Sequence, residues 1–330
     1  MRLYHEKVIV GLTVTVCHPR IKNSEKKNRL ERRAKVNHHP HCISLTTQHR
    51  SKTTMTSTQP PLPSFNLDNH VKQAWEFYHT TLHSPTNFAA PMVDQSELQY
   101  RLLTRRHNTH VCYTPMFHSR LMTEDVKYRQ KVMYDLRCSD TTTSIDRPLL
   151  VQFCGNNPDT VLSAAKHVEN HCDAVDLNLG CPQGIARKGN YGSFLMPETD
   201  LLVRIVQNLH SNLNIPVTCK IRLFPKIQDT IRLAKALESA GCYMLCIHGR
   251  TKEEKKMLTK ETHFDEIRQV KQALRIPVIS NGGVGSRNDG KFYNTNHTVV
   301  GHKGKTETRQ NRMIETETRH FFLTSNKHIN

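Results

Sequence analysis

Between Asn87 and Gly283 the chain repeats one pattern, a short continuous apolar run followed by a stretch with helical spacing. The runs are NFAAPM (87–92), VCYTPMF (111–117), LLVQFCG (149–155), AVDLNLGCP (174–182), VTCKIRL (217–223), YMLCIHG (243–249) and PVISNGG (277–283). Helical patterns lie at 96–106, 158–170, 198–212, 227–241 and 264–275. A strand that is apolar at nearly every position must bury both faces, and helices covering a parallel sheet supply that burial. Seven such units point to an α/β fold of the (β/α)8 TIM-barrel type. The alternative is a doubly wound sheet. That fold carries a Gly-rich turn after its first strand, and APMVDQSE after the first run here is not one.

In a barrel, active sites gather at the C-terminal ends of the strands. Those ends here carry Met92 and Asp94, Gln152, Asn178 and Cys181, Lys220 and Arg222, His248 and Arg250, then Asn281, Gly282 and Gly283. Each taken singly has a bland reading, a solvated cation or a satisfied polar group. One polar residue per strand, converging on one face, is hard to obtain by accident. Cys154, Cys219 and Cys246 lie inside apolar runs and read as core thiols. Cys181 differs. In VDLNLGCPQGIARKGNYGSFLM (175–196) it sits past the end of its run, beside glycines and the cations Arg187 and Lys188. That setting favours a thiol that ionises or gives up a proton.

The formal net charge is +18, and most of it lies at the two ends. Residues 1–54 hold 12 Lys or Arg against 3 Asp or Glu. Such an excess raises affinity for polyanions, although solvated tails account for it equally well. Residues 1–63 read as a disordered basic extension, 64–284 as the barrel domain, and 285–330 as an irregular segment without helical stripe or strand pattern. No apolar run approaches the 20 residues of a membrane span. VIVGLTVTV (8–16) is short and lacks a cleavage site for secretion. A cytoplasmic protein is expected, with nucleus or mitochondrion as alternatives, the latter because the first 54 residues are basic and poor in acids. The ten cysteines lack framework spacing and read as reduced. HHPHC (38–42) has no second ligand cluster nearby, so no metal is expected.

APMVDQSELQYR, VQFCGNNPD, VDLNLGCPQGIARKGNYGSFLM, CKIRLF, IHGRTKEEK and PVISNGG together resemble the tRNA-dihydrouridine synthases. The similarity is greatest to the eukaryotic branch that acts on adjacent D-loop uridines. The resemblance implies a barrel that holds FMN, reduced by NADPH, with tRNA as the substrate; no membrane or protein partner is expected. It implies hydride transfer to C6 of a uracil while Cys181 protonates C5. Pro91, Met92 and Val93 match a loop lying against the flavin. Gln152 matches a partner of its pyrimidine edge, and Lys220 a cation near N1 and the C2 carbonyl. His248 matches a residue near the flavin phosphate, and Asn281, Gly282 and Gly283 a loop that cradles it. Asn178, Arg187, Lys188, Arg222 and Arg250 match positions that face substrate or shape the site.

The chain departs from this family pattern after SNGG. No eighth strand and no C-terminal helical RNA-binding domain is legible in residues 285–330, so the edges of the first and seventh barrel strands are expected to be open. Two further functions therefore stay in view. One is a truncated, inactive RNA-binding fragment. The other is a small-molecule FMN-dependent pyrimidine oxidoreductase, against which the GCPQ turn and the basic loop argue.

Overall fold

A computed structural model of the chain describes residues 9–10, 65–137, 145–254 and 261–283. The expectations for residues 285–330, for most of 1–63 and for the HHPHC segment lie outside the described residues. The elements belong to a compact unit joining the first 15 residues to the chain from Asn66 onward. Of the other unit, residues 16–65, only Phe65 is described.

In chain order the elements are β1 (Ile9–Val10), α1 (Leu67–Glu76), β2 (Phe88–Ala89), α2 (Leu98–Arg106), β3 (Val111–Tyr113), β4 (Phe117–His118), α3 (Ser119–Glu124), α4 (Val126–Arg137), β5 (Leu149–Cys154), α5 (Pro158–Lys166), β6 (Ala174–Leu179), α6 (Gly184–Lys188), α7 (Thr199–Asn212), β7 (Val217–Leu223), α8 (Ile227–Ser239), β8 (Cys242–Thr251), α9 (Phe264–Ala273) and β9 (Val278–Asn281). Local chemistry explains the helix starts. Asn157 accepts the Thr160 N–H at 2.9 Å and Pro158 occupies the first turn of α5. Asn66 caps α1 in the same way. On α7, Leu202, Ile205, Val206 and Leu209 recur at helical spacing and are buried together.

The strands form one sheet in the order β1-β9-β8-β7-β6-β5-β3-β2, with every pair parallel. From β2 to β9 spatial order follows chain order without the reversal of a doubly wound sheet. This is the winding of a TIM-type barrel. The expected strand at 111–117 is split in two. Pro115 has no N–H to give to the ladder, and the register against β5 slips by one residue between Cys112↔Leu149 and Phe117↔Phe153.

The edge of β9, expected to be open, is paired. Ile9 lies opposite Ile279 and Val10 opposite Ser280, so β1 stands beside the seventh barrel strand. The physical reason is the same that makes any parallel edge sticky: a row of unpaired N–H and C=O groups accepts an extended apolar segment.

Strand alternation divides the core. Val151, Phe153, Val175, Leu177, Leu179, Cys219 and Ile221 face the helices and pack with Leu202, Ile205, Leu233 and Leu237. The opposite face lines the barrel interior. Its lower layer is apolar, with Phe88, Val111, Tyr113, Leu150, Ala174, Met244 and Ile279 closed from below by Phe77, Tyr78 and Leu82. Above that layer the interior positions turn polar.

Candidate functional site

The polar positions follow from the period of two. With Leu150 and Ala174 inside, Gln152 and Cys154 on β5 and Asp176 and Asn178 on β6 also face inward. Thr218, Lys220 and Arg222 follow on β7, Cys246, His248 and Arg250 on β8, and Asn281 on β9. Register places Gln152 beside Asp176, Asn178 beside Lys220, and Arg222 beside His248, which in turn meets Asn281. Seven of the expected residues thus share one interior surface. Gln152 is fully buried, and Asn178 and Lys220 are buried to within a tenth of their surface.

The cysteine turn is held from both sides. Asn178 Oδ1 accepts the Gly180 N–H at 3.1 Å and the Cys181 N–H at 2.9 Å. The Cys181 carbonyl accepts the Ser193 N–H at 3.1 Å and the Ser193 hydroxyl at 3.0 Å. Gly192 makes this approach possible. Its φ is +64°, and a Cβ there would lie 2.6 Å from the Cys181 carbonyl oxygen. The Cys181 side chain is half-buried, unlike Cys154, Cys219 and Cys246, which are core thiols. Burial pushes the Cys154 thiol up to about 12. Cys154, Ala186 and Tyr191 pack beneath Cys181.

Charge concentrates at the same end of the barrel. Burial lowers the Lys220 pKa. His248 is pushed down to about 2, first by burial and then by Lys220, Arg222 and Arg250, so its imidazole is neutral. Its Nδ1 is a buried atom without a hydrogen-bond partner. Gly282, at φ +99°, brings its backbone against that ring, where a Cβ would meet it at 3.1 Å. The buried Lys220 and the unfilled imidazole nitrogen beside the Gly282 backbone fit an anionic, acceptor-rich ligand such as a flavin.

Arg222 has a definite local task. Its Nε donates to the Gly180 carbonyl at 2.7 Å and its Nη1 to the Thr251 carbonyl at 3.0 Å, tying the cysteine turn to the end of β8. Arg187 and Lys188 end α6 and are exposed. Pro91 and Met92 are half-buried, and Val93 is exposed, in the loop after β2. Among the described residues no group of three or more His, Cys, Asp or Glu is placed to hold a metal, and no helix is long and apolar enough to cross a membrane.

Sequence reasoning missed Asp176, Thr218 and Ser193. The Asp176 carboxylate is fully buried and accepts from Gln152 Nε2 at 2.8 Å and from the Thr218 hydroxyl at 2.6 Å. The available signal was a carboxylate inside an otherwise apolar run, two positions before Asn178 and so on the same face.

A family model described as dihydrouridine synthase matches residues 88–304. A tRNA-dihydrouridine(16/17) synthase-like protein of Mus musculus is 48% identical over 212 residues, which cover 64% of this chain and 44% of that protein. The tRNA-dihydrouridine(16/17) synthase of Saccharomyces cerevisiae is 46% identical over 217 residues, 66% of this chain and 50% of that one. A tRNA-dihydrouridine(20a/20b) synthase-like protein of Homo sapiens is 33% identical over 200 residues, 60% of each. The chain spans about half the length of the curated (16/17) relatives it matches.

Proposed function

This chain belongs to the dihydrouridine synthase family, and on that premise we propose that it reduces uridine to 5,6-dihydrouridine in the D-loop of tRNA, with FMN as cofactor and NADPH as reductant. The observation that carries the proposal is the doubly clamped, half-buried Cys181 at the mouth of a barrel whose interior end is cationic.

When bound, reduced FMN supplies a hydride to C6 of the uracil. This chain's residues do the rest. Lys220 and Gln152 would hold the flavin ring from the barrel interior, where the ammonium of Lys220 would stabilise negative charge at its pyrimidine edge, while Asn178 shapes the cysteine turn. His248 and the Asn281–Gly283 turn would receive the phosphate, and Pro91, Met92 and Val93 would flank the ring. Cys181 Sγ gives its proton to C5, which balances the hydride added at C6. The clamp on both sides of the Cys181 peptide fixes where that proton is delivered. Arg222 holds the turn in place through Gly180. Arg187, Lys188 and Arg250 meet the RNA backbone, and the target base leaves its stack to reach the mouth. The protein acts in the cytoplasm in this reading.

The test uses the full chain, FMN, NADPH and an unmodified tRNA transcript. Stoichiometric flavin binding and formation of dihydrouridine are expected. Flavin binding with NADPH oxidation but no change in the RNA would point instead to a small-molecule pyrimidine oxidoreductase. Absence of flavin binding would remove the enzymatic reading altogether.

A further inference from the structure

We propose that Asp176 is a positioning residue for the Cys181 turn, acting through the side-chain amides of Gln152 and Asn178. This rests on Cys181 being the proton donor. The chain of contacts is continuous. Thr218 donates its hydroxyl to Asp176 Oδ1 at 2.6 Å, and Gln152 Nε2 donates to Asp176 Oδ2 at 2.8 Å. Asn178 Nδ2 donates to Gln152 Oε1 at 2.7 Å. Asn178 Oδ1 then accepts the backbone N–H groups of Gly180 and Cys181.

The polarity of this chain has one source at each end. A carboxylate only accepts, so Gln152 must turn its NH2 toward Asp176. Its oxygen then faces Asn178, which must answer with its own NH2. That leaves Asn178 Oδ1 for the two backbone donors of the turn. Reversing Gln152 would set two acceptors against each other at hydrogen-bond distance, and the error would pass to the turn. The buried carboxylate and the turn therefore demand the same orientation of both amides.

A second consequence follows. Each amide keeps one N–H outside these bonds, and the Asn178 oxygen is used twice by the turn. With Lys220 in register beside Asn178, the polar interior layer presents donors. Burying a carboxylate is costly unless every oxygen is satisfied, and here both are. An apolar residue at 176 would pack without that cost, but it would leave the amides without a fixed direction.

The experiment reads backbone amide hydrogen exchange, residue by residue, in the full chain without flavin or RNA. Asp176→Asn keeps the shape but offers Gln152 either an oxygen or an NH2. The double variant Asp176→Leu with Gln152→Met removes both partners of that contact together, leaving Thr218 Oγ1 and Asn178 Nδ2 to find other acceptors. In both variants the Gly180 and Cys181 amides are expected to exchange about tenfold faster or more, while Val175, Leu177 and Ile221 stay within about twofold. Exchange that is unchanged at Gly180 and Cys181, or raised uniformly along β6 and β7, overturns the proposal. The reduction of tRNA uridine by the wild-type chain is scored separately. Its failure would remove the proposed function and leave the exchange result standing.

Discussion

Replacing Gly192 by Ala should cripple proton delivery while leaving flavin binding intact. Gly192 has φ +64°, and an added Cβ would lie 2.6 Å from the Cys181 oxygen, 3.0 Å from its Cβ and 3.2 Å from its nitrogen. The left-handed backbone costs an L-residue roughly 1–2 kcal/mol. The clash is with backbone, not with a side chain that can swing away. Restoring ordinary contact near 3.4 Å means moving the Cys181 carbonyl by several tenths of an ångström. That carbonyl is held by the Ser193 N–H and hydroxyl, and each bond lost costs about 1 kcal/mol. The sum is roughly 2–4 kcal/mol, or a fall in Tm of roughly 4–16 °C for a folded domain of about 150–250 residues. A displacement approaching 1 Å at a reacting group costs about 10²-fold in rate. Thermal melting and single-turnover uridine reduction should therefore both fall, with FMN affinity within about twofold of wild type because the atoms nearest the added Cβ all belong to Cys181. Gly184→Ala is the control, since nothing lies within 4 Å of a Cβ there. Wild-type turnover in Gly192→Ala, or equal loss in Gly184→Ala, would refute the reasoning.

Cys181→Ala should leave FMN bound and reducible while uridine reduction falls about 10²-fold or more, and Cys154→Ala should show only a packing cost in urea melts. Lys220→Met should weaken FMN retention or slow flavin reduction by NADPH, and wild-type values of both would show the lysine to be a bystander. Asp176 gives a pH signature. Its folded pKa is raised from 3.8 to about 6, chiefly by burial. The folded state therefore holds that proton more tightly than the unfolded chain. The resulting stability is fully present below about pH 4 and is lost as pH rises through about 6. The stability of the wild type relative to Asp176→Asn, measured by urea unfolding at a series of pH values, should fall across that window. A flat difference would contradict the assigned shift.

Much of this architecture was legible because it is local. VTCKIRL is β7 residue for residue, and the 227–241 pattern holds α8. Period two then placed Lys220, Arg222, His248 and Asn281 on one face without further information. What the sequence hid is non-local or directional. Arg222 read as a residue that faces substrate or shapes the site, and the particular contacts by which two of its nitrogens hold the carbonyls of Gly180 and Thr251 are a geometry that no spacing encodes. Asp176 was missed because its partners Gln152 and Thr218 come from flanking strands. The split at Pro115 was readable in principle, since proline cannot donate to a ladder. The short β1 was not, because its pairing depends on an edge formed at the other end of the barrel.

That pairing sets a timetable. Ile9 leaves the ribosome about 270 residues before Ile279, its partner. At roughly 5–20 residues per second, the early segment waits on the order of 15–50 s before β9 exists to receive it. The seven-strand body between them can wind in order as it emerges, each strand adding to the one just made. The seam between β1 and β9 closes only afterwards, across a long loop whose closure opposes it entropically. Until then β9 is an exposed parallel edge on a nascent chain, open to the edge of a neighbouring copy on the same message. The interval between translating Asn281 and docking Ile9 is therefore when this protein is most exposed to misassembly, and a tag or fusion ahead of residue 9 would lengthen it.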